Sequence, residues 1–267
     1  MSERIGTAGI PGVCKGGSTL DGVKCVSDLG LDAFEIAFVR NIYLTEESAR
    51  KVGEIAKKLD ISLSCHAPYY INLASTNPSV IVKSKKFIAD TLKIADVMGA
   101  KIAVVHAGFY MGQPKSQVFE LIKNACLEFK SKAKLGIETM GRQKQFGSVD
   151  EVARLVEECG NVAPVIDFAH IHARTNGGLK TKDDFKAILD KFECLSVSPI
   201  HCHMTGIKYE NGNEKHHLPI SSFEPDFRLL ADVLRENNYD TTIICESPLM
   251  EQDALLFKKW ITNRTKL

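Results

Sequence analysis

The sequence predicts an α/β protein, and more specifically a (β/α)8 TIM barrel that forms a single domain over residues 1–267. Three observations lead to this fold class. Short Val- and Ile-rich segments, about eight in all, alternate with helical segments from end to end, as in such barrels. The length of 267 residues suits eight strand–helix units, and no Gly-, Ser- or Pro-rich linker divides the chain. A doubly wound open sheet is the alternative that the same alternation allows.

The predicted strands lack the alternation of polar and apolar residues that marks a sheet with one solvated face. Both of their faces should therefore be covered, as in a parallel sheet. The eight strands begin near Arg4, Ala33, Ser62, Lys101, Lys134, Val162, Ser198 and Thr241.

The intervening helices are marked by capping signals and by apolar periodicity. Capping boxes are predicted for the pairs Ser18/Asp21, Ser148/Glu151 and Thr181/Asp184. Residues 79–98 have the pattern of a long amphipathic helix, and further helices are expected at 227–234 and 250–261. Two long irregular stretches, at about 208–223 and 142–147, are typical of functional loops.

Composition excludes several classes of protein. Charged residues make up 25% and the formal net charge is +1, which excludes a strongly basic surface but not a local basic groove. No apolar run approaches the roughly 18 residues of a membrane span, and the N-terminus lacks the apolar core of a signal peptide. We therefore expect a cytoplasmic chain without a membrane partner.

The eight cysteines are scattered and contain no C-x-x-C pair. This pattern argues against a disulfide framework and favours a reducing compartment. Cys65, Cys202 and Cys245 lie in apolar runs and are expected to be small core residues, whereas the sequence assigns no role to Cys14 and Cys25.

Residues that can bind metals follow six consecutive predicted strands, the third to the eighth. In a parallel barrel these strand ends share the face on which active sites are built. Two further candidates, in the segment NEKHH, belong to the long loop after the seventh strand and could fold over the same face. The candidates are His66, His106, Glu138, Asp167, His170, His203, Glu246, Glu214 and His216.

Each candidate has a simpler explanation when it is taken alone. A single histidine is more often hydrogen-bonded than metal-bound, Glu138 could pair with Lys134 or Arg142, and Glu214 could be a solvated loop residue. The joint placement is what indicates a metal site, since imidazole and carboxylate groups are ligands of Zn²⁺, Mn²⁺ or Fe. His172, His201 and His217 each neighbour a candidate and could orient it or be exposed.

The residues at these strand ends resemble the successive motifs of the endonuclease IV family of apurinic/apyrimidinic endonucleases. The matching segments cover nearly the whole chain in the same order. They are HAPYYINLAS, VVHAGFYMG, GIETMGRQKQFGS, VIDFAHIHA, HCHMTG with EKHH, and ICESP.

The resemblance implies a TIM barrel with three Zn²⁺ ions, of which one could be replaced by Mn²⁺. His66, His106 and Glu138 would hold the first ion, and Glu138 would bridge to a second ion held also by Asp167, His203 and Glu246. The third would be held by His170, Glu214 and His216. Glu138 and Glu246 would also act in catalysis. The family usually has Asp where Glu214 stands, so the third site is where this chain departs from it.

The resemblance further implies hydrolysis of the DNA phosphodiester on the 5′ side of an abasic site by a monomer. Arg40 and Tyr69 match the residues that the family inserts into damaged double-stranded DNA. The family often begins with Gly-x-His, whereas this chain has Gly6-Thr7-Ala8. The alternatives are a divalent-metal sugar isomerase or epimerase of the xylose-isomerase-like barrels, and a relative that binds DNA or metal without catalysis.

Overall fold

The computed structural model describes residues 3–262 and contains eight parallel strands closed into a barrel in the order β1-β10-β7-β6-β5-β4-β3-β2. This confirms the predicted (β/α)8 barrel and excludes the open sheet. The barrel strands are Arg4–Ala8 (β1), Ala33–Ala37 (β2), Ser62–His66 (β3), Ile102–Val105 (β4), Lys134–Glu138 (β5), Val162–Asp167 (β6), Ile200–Met204 (β7) and Thr241–Cys245 (β10).

Nine α-helices are found within residues 3–262, most of them on the outside of the barrel. They are Thr19–Asp28 (α1), Glu46–Lys58 (α2), Pro78–Met98 (α3), Lys115–Leu127 (α4), Val149–Glu158 (α5), Phe168–Arg174 (α6), Lys182–Glu193 (α7), Phe227–Glu236 (α8) and Glu251–Thr262 (α9). All three predicted capping boxes are present, at the starts of α1, α5 and α7. No helix in this range is long and apolar enough to cross a membrane.

The stretch expected to be irregular after the seventh strand is largely an antiparallel hairpin. Its strands are Gly206–Glu210 (β8) and Asn213–Leu218 (β9), joined by the two residues Asn211 and Gly212. Both turn residues have positive φ, at 50° and 71°. Asn-Gly is the strongest short-range signal of such a hairpin, so the sequence did contain the evidence for it.

The strand–helix interface forms the main hydrophobic core, which includes buried phenylalanines such as Phe34, Phe168 and Phe185. The inside of the barrel is different. Toward its amino-terminal end lies a small apolar cluster that includes Ile102 and Val165, whereas the other end is lined by buried histidines and carboxylates. The polar end of the barrel is therefore built for something other than packing.

The cysteines only partly follow the sequence-based expectation. Cys65, Cys202 and Cys245 are buried and free, as predicted. Cys14 and Cys25 form a disulfide, which the sequence did not indicate. The 3-10 turn Gly12–Cys14 and α1 bring these two residues together across 11 positions of chain, and the scattered spacing gave no sign of this contact.

Candidate metal centre

Six of the predicted residues lie at the carboxyl ends of barrel strands because the strands are parallel and in register. His66, Glu138 and Asp167 are the last residues of β3, β5 and β6, and His203 is the penultimate residue of β7. His106 and Glu246 follow β4 and β10 directly. The mouth of the barrel encloses a cavity of about 640 Å³ that is lined by His66, His106, His170, Glu214, His217 and Glu246, among others.

Glu138 lies at the centre of this arrangement. One carboxylate oxygen, Oε2, is 3.2 Å from Nε2 of His66 and 2.9 Å from Nε2 of His106. The other, Oε1, is 3.0 Å from Nδ1 of His170 and 3.6 Å from Nδ1 of His203. The two oxygens thus face different sets of nitrogens, as a carboxylate shared by two sites would.

Two groups of possible ligand atoms meet at Glu138, each group lying within 4.8 Å. His66, His106 and Glu138 form the first group, and the second consists of Glu138, Asp167, His203 and Glu246. These are the two sets that the family resemblance implied for the first and second ions.

The predicted third group is brought together only in part. Nε2 of His170 lies 2.9 Å from Oε2 of Glu214, and Arg142 lies 3.3 Å from the other oxygen of this carboxylate. His216 does not join them, because its side chain is exposed. The neighbouring His217 lines the mouth instead, with its ring 6.1 Å from that of His170 and its Nδ1 3.1 Å from the carbonyl of Glu246.

An irregularity in the hairpin explains the different positions of the two histidines. Glu214 is opposite Tyr209 and His216 is opposite the adjacent Lys208, so Lys215 is an additional residue in β9. This β-bulge breaks the alternation, and Glu214 and His216 point to opposite faces of the hairpin. His217 returns to the face of Glu214.

Gly141 permits the close approach of the hairpin to the barrel mouth. The backbone N–H of Glu214 donates to the carbonyl of Gly141 at 3.1 Å. A Cβ atom at position 141 would lie 2.2 Å from Oε2 of Glu214 and 3.0 Å from the His170 ring. A residue with a Cβ atom here would therefore require the Glu214 carboxylate to turn away and its neighbours to shift slightly.

The buried polar atoms fit a cationic ligand. Oε1 of Glu138, Oδ2 of Asp167, Nδ1 of His203 and Oε2 of Glu214 are buried without an aligned hydrogen bond. Backbone carbonyls fix two rings: Nδ1 of His66 faces Ala67 at 2.9 Å, and Nδ1 of His170 faces Thr139 at 3.0 Å. With those nitrogens donating, Nε2 of each ring keeps a lone pair directed into the centre, which is how metal-binding histidines are oriented.

The pKa shifts show how this buried charge is balanced in the absence of a cation. Burial opposes protonation of His66, but the hydrogen bond and charge of Glu138 outweigh it and raise the pKa of His66 to about 9. For Glu138, burial alone would raise the pKa, but the charge and hydrogen bonds of its histidine neighbours hold this pKa well below its usual value. Burial, with repulsion from Glu138 and Glu246, raises the pKa of Asp167 to about 6. A divalent ion needs neutral imidazoles, so it would compete with these protons.

The two residues predicted to contact DNA lie on the rim of the mouth. The Tyr69 side chain is 50% exposed, and its ring lies 5.4 Å from that of His66 and 5.6 Å from that of His106. Arg40 is exposed and adjoins Val39, whose carbonyl accepts the backbone N–H of Tyr69 at 3.1 Å.

Some of the basic side chains in the loops near the mouth have a structural role. Arg174 donates to the carbonyls of Met140, Arg142 and Gln145, at 2.7 to 3.3 Å, and so holds the loop after β5. Lys215 pairs with Glu210 at 3.1 Å. Lys144 and Lys208, in contrast, are exposed.

Sequence reasoning missed Glu35, a buried carboxylate beneath the mouth, and named His201 only as a neighbour that could orient a candidate or be exposed. Glu35 on β2 and His201 on β7 form a third possible ligand group together with His203. Glu35 is inside the apolar run AFEIAFV rather than at a strand end, so the pattern used to find the other residues could not find it. A carboxylate within such a run was the only available signal.

The sequence profile of the xylose isomerase-like TIM barrel family matches residues 23–261, and the chain belongs to this family. A protein from Methanocaldococcus jannaschii described as uncharacterized is 34% identical over 266 residues, with 96% of this chain and 95% of that protein covered. A probable endonuclease 4 from Staphylococcus aureus is 27% identical over 217 residues, with 76% of this chain and 72% of that protein covered.

Two solved structures illustrate how widely the fold is shared. Endonuclease IV from Thermus thermophilus superposes with a TM-score of 0.74 at 22% identity, covering 97% of this chain and 98% of that one. A D-tagatose 3-epimerase-like protein superposes with a TM-score of 0.72 at 20% identity, covering 96% and 94%. The resemblance seen in the sequence is confirmed at the level of the family.

Proposed function

We propose that this chain is a metal-dependent apurinic/apyrimidinic endonuclease that hydrolyses the phosphodiester on the 5′ side of an abasic site in double-stranded DNA. The observation that supports the proposal best is the number of potential ligands at the mouth. Two complete groups share Glu138, and a third pair, His170 and Glu214, lies against them. A barrel that uses one metal ion would have no joint purpose for all of these side chains.

In this proposal the ligand groups would hold zinc ions, which supply an activated water and charge stabilisation at the phosphate. Glu138 sets the spacing of the two main groups because its oxygens face separate sets of nitrogens. The carboxylate of Glu246 is 15% exposed and borders the cavity, where it can orient the attacking water. Tyr69 and Arg40 would contact the DNA at the abasic gap, where a missing base lowers the cost of flipping the nucleotide.

The test is cleavage of an end-labelled duplex that carries a single tetrahydrofuran abasic analogue. We expect cleavage immediately 5′ of the analogue, with a product that a DNA polymerase can extend because its 3′ end is a hydroxyl. The matched substrate is the same duplex without the analogue, which should remain intact. No cleavage by the zinc-loaded protein would contradict the proposal.

Glu138→Gln tests the shared carboxylate. Gln keeps the shape but not the charge, so elemental analysis should show a loss of at least about one ion per chain, and cleavage should fall by several orders of magnitude. Glu251→Gln is the matched control, because Glu251 is also a buried carboxylate but binds the backbone N–H groups of Gly12 and Val13. Full metal content and full activity in the Glu138 variant would refute its bridging role.

A divalent-metal sugar epimerase is the second candidate, and one specific observation favours it. The group Glu138, Asp167, His203 and Glu246 could by itself hold a single ion. If elemental analysis of the wild-type protein gave one ion per chain and abasic DNA stayed intact, conversion of ketohexoses such as D-fructose and D-tagatose would be the next assay.

A further inference from the structure

We infer that Glu35 is the positioning residue that orients His203 for metal binding from beneath the mouth of the barrel. Glu35 lies on β2, fully buried, beside Ser64 on β3 and one layer below the strand ends. It belongs to neither of the two groups that meet at Glu138. The inference rests on the metal centre of the proposed function but not on the DNA substrate.

His203 connects the two layers. Its Nδ1 faces the mouth, 3.6 Å from both Glu138 and Glu246, and its Nε2 faces down, 3.1 Å from Oε1 of Glu35. Both ring nitrogens are buried without an aligned hydrogen bond. If Nδ1 binds an ion, the proton of the ring must be on Nε2, and the carboxylate of Glu35 is the acceptor in reach.

Glu35 is itself held in place from the other side. Its Oε2 accepts the hydroxyl of Ser64 at 2.7 Å and lies 3.0 Å from Nε2 of His201. These two contacts leave Oε1 directed to His203, and Oε1 has no aligned hydrogen bond of its own. A carboxylate that accepts the second N–H of a ligating histidine fixes the ring and makes it a stronger ligand.

The alternative for the same residues is a separate ion held by Glu35, His201 and His203, whose possible ligand atoms also lie within 4.8 Å. We favour the positioning role for two reasons. The ring of His203 is already directed to the mouth through Nδ1, and Oε2 of Glu35 is already taken by two neighbours. The two roles predict different results for a Glu35 variant: a positioning role leaves the number of bound ions unchanged at saturation, whereas a ligand role removes one ion.

The experiment compares wild type, Glu35→Gln and Glu251→Gln for zinc affinity, by competition with a chromophoric chelator, and for zinc content at saturation. For Glu35→Gln we expect an unchanged content and an affinity of one site weaker by about 10- to 100-fold. Glu251→Gln should match wild type. Unchanged affinity in Glu35→Gln would overturn the inference, and so would the loss of a whole ion at saturating zinc.

A second measurement does not depend on the stability of the Glu35 variant. Long-range ¹H–¹⁵N correlation spectra of the histidine rings in zinc-loaded wild type should show His203 with a protonated Nε2. Ser64→Ala, which keeps the carboxylate but removes its hydroxyl donor, should weaken zinc binding less than Glu35→Gln does. A His203 ring protonated on Nδ1 would overturn the inference. Because both readouts are metal binding, a protein inactive on abasic DNA would still allow this test.

Discussion

Tyr69 combines two environments in one side chain. Its ring leans on His66 and His106 while half of the side chain faces solvent. Burial raises the pKa of its hydroxyl to about 12, with a further contribution from the charge of Glu246. The phenol is therefore neutral at physiological pH and offers an uncharged aromatic face beside the metal centre.

Replacing Tyr69 by Ala should weaken binding to abasic DNA by about 1–3 kcal/mol, because stacking of the ring on a base is lost. Metal content should not change, since the ring supplies no ligand. Fluorescence anisotropy with a labelled abasic duplex measures the first quantity and elemental analysis the second. Tyr70→Ala is the control, because Tyr70 is equally accessible, at 59% exposed, but does not line the mouth. If zinc is lost with Tyr69, its role is structural.

The β8–β9 hairpin places side chains at the barrel mouth, and the bulge in β9 determines which of its side chains face the mouth. Glu214 reaches His170 and Arg142, whereas His216 faces outward and His217 faces the mouth. The family resemblance assigns the third ligand to His216, whereas His217 is the histidine of β9 that lines the mouth. Single substitutions can separate these two assignments.

We expect His217→Ala to weaken zinc binding and to reduce cleavage of abasic DNA by more than about tenfold, the usual cost of losing a contact at a metal centre. His216→Ala should retain wild-type zinc content, because its side chain is solvated. Zinc titrations of the two variants in parallel provide the comparison. The reverse result would support His216 as the ligand, as the family resemblance implies.

The sequence predicted some structural elements better than others. The difference is the separation along the chain of the residues that interact. Strand ends such as those at His66 and Asp167 follow from local apolar runs, and capping boxes such as Ser148/Glu151 involve residues three positions apart. The bulge at Lys215 and the partners of Glu35 depend on contacts between distant segments. Periodicity carries no information on such contacts, and His216 was named from its place in a predicted loop and from the family resemblance, neither of which contains the bulge.

The barrel as a whole carries a formal net charge of only +1, yet it concentrates buried carboxylates and histidines at one end. In the metal-free protein, protonated histidines compensate the carboxylates. The pKa of His66 is raised from 6.5 to about 9, and those of His170 and His203 are raised as well. Such groups stabilise the fold fully below the unfolded pKa, and this stabilisation is lost as pH rises through the folded pKa.

We therefore expect the melting temperature of the metal-free protein to fall as pH rises from 6.5 to about 9, the window set by His66. The increase in melting temperature produced by zinc should grow over the same window, because fewer protons compete for the imidazoles. Scanning calorimetry with and without chelator measures both trends. A zinc effect independent of pH would show that the histidines are not ligands.

Gly141 gives a way to sort related sequences without an assay. A Cβ atom at this position would lie 2.2 Å from the Glu214 carboxylate and 3.0 Å from the Cβ of Glu214, so a relative with alanine here must turn the carboxylate at 214 away from this position. Glycine at 141 together with a carboxylate at 214 thus forms a two-position marker. Barrels of this family that possess both can hold the carboxylate against the mouth as this one does, and barrels with a bulkier residue at 141 should hold it elsewhere.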